Sequence, residues 1–127
     1  DRVVFLPKQP FEKLYHYTAN ADIGITFDKD TNINYRYSLP NKLFDYIHAN
    51  IPVIASDLLE IKKIIEEYKI GDIISEVSPR AISQKINEVI FDDEKLKMWK
   101  ENTNFAASKL CWENEEKELI NVYKKFL

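Results

Sequence analysis

The sequence predicts an α/β domain on a Rossmann-like parallel sheet with helices on both faces. Short buried runs of β-branched residues alternate with stripes in which apolar residues recur three and four positions apart. The segments joining them are short, which is the pattern of strand-helix-strand units rather than of hairpins. Right-handed crossovers then distribute the helices over the two faces of the sheet.

Each element has its own signal. Residues 3–6 (VVFL) read as a first strand. Pro10 opens a helix with Phe11, Leu14 and Tyr15 on one face, ending near Asn20. Residues 22–27 (DIGITF) form a second strand, and the aperiodic stretch 28–39 (DKDTNINYRYSL) a long loop. From Asn41 to Ala49, Leu43, Phe44 and Ile47 share a helical face. Residues 52–56 (PVIAS) form a third strand, with its proline tolerated at the first position. Leu58, Ile61, Ile65 and Tyr68 define an amphipathic helix, and residues 70–75 a fourth strand. Ser78-Pro79 has the form of an N-cap followed by proline at the first helical position, ahead of the face formed by Ile82, Ile86, Val89 and Ile90. Two further helices are expected at about 93–109 and 113–126.

Composition narrows the function. The 127 residues suit one domain, and 45% hydrophobic with 31% charged residues places the chain among folded, soluble proteins. A net charge of −3 with interleaved signs argues against nucleic acid as partner, since that contact needs a basic excess. The single cysteine, Cys111, excludes an internal disulfide and a Cys-type metal cluster, and fits a reducing compartment. The apolar runs fall well short of a membrane span, and no secretory leader is evident. Opening on a strand-like run, the chain reads as a piece of a longer polypeptide.

Ligands of parallel sheets bind beyond the carboxyl ends of the strands, where the segments after Leu6, Phe27 and Ser56 converge. The strongest candidate there is RYSLPNKLFDYIHANIPVIAS, residues 36–56. A helix starting at Pro40-Asn41 offers unpaired N–H groups and its positive dipole end to an anion. Lys42 adds charge and Asn41 amide donors, while Asp45, one turn on, can accept hydrogen bonds from vicinal hydroxyls. That spacing suits the phosphate and ribose of a nucleotide; it equally suits two residues decorating a solvent face. Asp28 and Asp30 follow a strand, as a Mg²⁺ or phospho-acceptor pair would, but a solvated loop is the simpler reading. His16 and His48 lack partners at metal-ligand spacing. No glycine-rich turn joins a strand to a helix, which excludes a dinucleotide fingerprint.

The stretch LPNKLFDYIHANIPVIASDLLEIKKII resembles the donor-binding segment of the retaining GT-B glycosyltransferases of the "group 1" family. VVFLPKQPFEKLYHYTANADIGITF is similar to the preceding strand-helix-strand of that family, and WENEEKELINVYKKFL to its closing helix. The resemblance implies one partial domain over residues 1–127, the truncated C-terminal half of a GT-B fold, with a closing helix from about 111. It implies a nucleotide-sugar-binding part of an enzyme that transfers sugar from a nucleotide-diphosphate donor to a polysaccharide or glycolipid acceptor. By the same resemblance Asp45 holds the ribose, and the helix mouth at Asn41, Lys42 and Leu43 holds the diphosphate. A second family acid contacts the donor sugar; Tyr37 stands in its place here, flanked by Arg36 and Ser38 as stand-ins. Lys8 takes the nucleobase position. No cofactor or metal is implied.

Two strands and an acceptor domain of the family precede this sequence, so the chain alone is expected to be inactive and to dimerise, swap strands or rearrange at the resulting gap. The implied setting is cytoplasmic bacterial polysaccharide synthesis, with the longer enzyme peripheral to the membrane. A sugar-nucleotide epimerase of the same fold and a non-catalytic α/β interaction module are the alternatives.

Overall fold

The computed structural model describes residues 2–127. Its centre is a parallel sheet of three strands in sequence order: β1 (Gly24–Thr26), β2 (Val53–Ser56) and β3 (Gly71–Ile74). Gly24 pairs with Val53, and Val53 in turn with Gly71. Every residue of β2 is buried, as expected of a central parallel strand covered on both faces.

Seven helices surround the strands among the described residues: α1 (Phe11–Ala19), α2 (Ile33–Tyr37), α3 (Asn41–His48), α4 (Leu59–Tyr68), α5 (Pro79–Ile90), α6 (Asp93–Lys109) and α7 (Trp112–Lys124). The main core joins Leu43 and Ile47 of α3 to Val53 and Ala55 of β2, Leu58, Ile61, Ile65, Ile70 and Ala106 of α6. Ile54, pointing to the opposite side of β2, is also fully buried. Asp72, its partner in register, reaches Lys85 of α5 at 2.8 Å, so α5 covers that second face.

Local chemistry sets the boundaries. Ser78 accepts a hydrogen bond from the Ala81 N–H with Pro79 behind it, and Asp92 accepts one from Lys95, so α5 and α6 both start on side-chain caps. Helix α4 ends where Lys69 takes a left-handed conformation (φ 53°), and the Asn102 amide of α6 donates to the Lys69 carbonyl at 2.9 Å. Gly71 is required where β3 meets β2, because a Cβ there would overlap the Val53 carbonyl.

Two expectations are corrected. Residues 3–6 form no strand; Val3, Val4, Phe5 and Leu6 are exposed, from 52 to 92%. A strand exists only through its ladder partners, and the run pairs with no strand among the described residues. The stretch 28–39 is not wholly irregular: α2 occupies five of its residues, initiated by the Asn32 side chain accepting from the Tyr35 N–H at 3.1 Å. The remaining elements lie within a few residues of expectation.

Candidate functional site

The carboxyl ends of β1 and β2 carry two buried hydroxyls, Thr26 and Ser56. Both are spent on the turn that follows β1. The Thr26 hydroxyl donates to the Asp28 carboxylate at 3.1 Å, and the Ser56 hydroxyl donates to the Asp28 backbone carbonyl at 2.6 Å. Asp28 is therefore held at both backbone and side chain. The Lys42 ammonium, in the first turn of α3, lies 3.3–3.4 Å from the two Asp28 carboxylate oxygens.

Helix α3 starts without a side-chain cap: Pro40 is in extended conformation at its mouth. The Leu43 N–H turns back to the Pro40 carbonyl at 3.0 Å, and the Leu43 side chain is fully buried in the core. The mouth thus presents the N–H groups of Asn41 and Lys42, the latter with its charged side chain beside it. Leu43 and Ile47 face inward, which fixes α3 rotationally and turns Asp45 outward.

Asp45 lines a cleft of about 230 Å³ between α3 and α1, together with Phe11, Leu14, Tyr15, Thr18 and His48. Its neighbours there are mainly apolar and aromatic. Arg36 belongs to a different place. It binds Asp30 through Nε and Nη2 at 2.9–3.2 Å, on the wall of a cavity of about 500 Å³ shared with Asp57, Leu58 and Lys62. Asp30 makes the guanidinium more basic still, through that hydrogen bond first and its charge second. Tyr37 is exposed at the end of α2, and Ser38 closes that helix by donating to the Tyr35 carbonyl at 3.4 Å. Lys8 is exposed in the segment leading to α1.

The fold thus brings Asn41 and Lys42 to one helix mouth with Asp45 a turn away, and sets Arg36, Tyr37 and Ser38 on the neighbouring α2. The Thr26–Asp28–Ser56 cluster that seats Lys42 was not anticipated. Its one visible signal is a hydroxyl residue at the carboxyl end of each of two adjacent strands. Among the described residues, no group of three or more His, Cys, Asp or Glu side chains could hold a metal ion. No helix among them is long and apolar enough to cross a membrane.

Sequence comparison decides the family. The model of the glucosyltransferase 3-like C-terminal domain matches residues 2–118, almost the whole chain. The chain belongs to this family. No curated protein and no solved structure matches it. It is a glycosyltransferase C-terminal domain, and the α3 mouth, the Asp45 cleft and the Arg36 cavity are features of that domain.

Proposed function

We propose that this glucosyltransferase 3-like domain binds the nucleotide-sugar donor of a retaining GT-B glycosyltransferase, glucose being the sugar that the family description favours. The carrying observation is the layout of α3. An anion-receptive mouth and an outward carboxylate stand one turn apart on a helix whose other side is locked in the core. The diphosphate lies at the Asn41 and Lys42 N–H groups and the Lys42 ammonium, as anions do at helix N-termini. The ribose hydroxyls donate to Asp45. A nucleotide laid out in that order directs its base into the cleft of Phe11, Leu14 and Tyr15, whose apolar lining suits a planar ring. Lys8, exposed in the segment just before α1, is the basic side chain assigned to the base in this reading.

In the transfer reaction the charge that builds on the leaving diphosphate is met by fixed dipoles and an ammonium rather than by reorganising water. The donor sugar extends toward α2, where Arg36, Tyr37 and Ser38 stand. The acceptor glycan or glycolipid is held by a part of the enzyme other than this donor-binding domain.

Calorimetry with nucleoside diphosphates tests the assignment. Lys42→Ala removes a charge-assisted contact of about 1.5–3 kcal/mol, a loss of roughly 10- to 150-fold for diphosphates, with free nucleosides little affected. Asp45→Ala weakens diphosphate and nucleoside alike. Unchanged nucleoside affinity in Asp45→Ala would sink the ribose role, and equal losses in Lys42→Ala would sink the phosphate role.

A further inference from the structure

Asp28 has no part in the proposed contacts, yet it is the best-held carboxylate at the sheet's carboxyl end. Thr26 is fully buried and Ser56 is 4% exposed, and both direct their hydroxyls at Asp28. Its carboxylate meets the ammonium that the donor diphosphate would use. Resting on the donor-site reading above, we infer that Asp28 is a specificity-determining counter-charge that makes the site favour the sugar-nucleotide donor over the nucleoside diphosphate product.

The argument is electrostatic. A positive side chain at the positive end of a helix is unfavourable by itself, and the fixed carboxylate offsets it. Any diphosphate that enters must share Lys42 with Asp28 and bear repulsion from it. Donor and product differ in charge at the atom concerned. In the donor the terminal phosphate is esterified to the sugar. In the product that oxygen is free, and since its second ionisation falls near pH ~6 it carries roughly one more negative charge at neutral pH. A carboxylate that cannot swing away repels the product more than the donor. With its backbone carbonyl bound by Ser56 and its carboxylate by the Thr26 hydroxyl and the Lys42 ammonium, Asp28 does not readily swing away. The consequence is a site that releases its diphosphate once the sugar has left.

The test is calorimetry of this protein with UDP, ADP and GDP and their glucose conjugates. Asp28→Asn keeps an acceptor for Thr26 and removes the charge; Asp28→Ser removes the charge with a smaller side chain; Asp28→Glu keeps it. Both neutral variants are expected to tighten the diphosphate over its glucose conjugate by about three- to tenfold relative to the parent. Asp28→Glu is expected to keep the parent ratio. A ratio unmoved in the neutral variants, or moved toward the glucose conjugate, overturns the inference. Lys42→Ala separates the two levels: if it costs diphosphate affinity while the Asp28 ratio stays fixed, only the counter-charge role fails. If it costs nothing, the donor-site reading fails and takes this one with it.

Discussion

Tyr46 guards the open side of the sheet, and removing its hydroxyl should loosen that guard. In a parallel strand the N–H and C=O of one residue point to the same side. Gly24 donates to the Pro52 carbonyl at 2.8 Å, so Gly24 and Thr26 face β2 while Ile25 faces the edge that no strand covers among the described residues. There the Tyr46 hydroxyl donates to the Ile25 carbonyl at 3.1 Å, and the Tyr46 ring lies against Gly24 where a Cβ would collide with it. Tyr46→Phe deletes one neutral hydrogen bond in a solvent-accessible position. The lower part of the 0.5–1.5 kcal/mol range applies, so a Tm decrease of roughly 2–5 °C is expected by calorimetry. The larger effect is on association. The freed carbonyl exposes a strand edge in a chain that also carries the unpaired run at residues 3–6. Sedimentation velocity over a concentration series should show a higher mean mass for Tyr46→Phe than for the parent. Equal masses at every concentration would refute the edge-guard reasoning, whatever the Tm.

Further outcomes follow from other contacts. Gly71→Ala forces β3 away from the Val53 carbonyl and should cost about 1–3 kcal/mol or more in urea unfolding; a neutral result would mean that the two strands separate freely there. Burial pushes the Asp72 carboxyl up, but its hydrogen bonds from Lys85 and the Ile73 N–H, with the charges of Lys85 and Lys95, hold it below the usual carboxylate range. A carboxylate depressed in the folded state contributes stability above its unfolded value, about pH ~4, and loses it as pH falls through the folded value. Urea midpoints measured on either side of that range should therefore fall less steeply with acid in Asp72→Asn than in the parent, and parallel curves would exclude Asp72 as a source of acid sensitivity.

Much of the fold was legible because its signals are local. Ser78-Pro79 announces α5 with a cap and a fixed φ, and the spacing of Leu58, Ile61 and Ile65 fixes which side of α4 is buried. Residues 3–6 misled for the converse reason. Four apolar β-prone residues specify a strand only if a neighbour supplies hydrogen bonds, and that is a property of the sheet, not of the run. Asn32 was overlooked because a five-residue helix has too little periodicity to register. The helix mouth at 40–45 could be read from proline, amide and carboxylate spacing. The seat of Lys42 could not, since Asp28 and Lys42 are joined by fourteen positions of sequence and Ser56 reaches back from another strand.

The topology also orders assembly in time. β2 and β3 are joined by a single ten-residue helix, whereas β1 reaches β2 only across a loop and the two helices α2 and α3. Closing the shorter path costs less chain entropy, so β2–α4–β3 is expected to form first and the β1–α3 side to join it last. Asn41, Lys42 and Asp45 all lie in that later part. Folding kinetics would register it: truncations such as Ile61→Ala should slow folding, while truncations in α3 such as Ile47→Ala should chiefly hasten unfolding. The helix that would grip the donor is then among the last parts of the domain to join the fold, and a bound nucleotide would act as the fastener that holds it there.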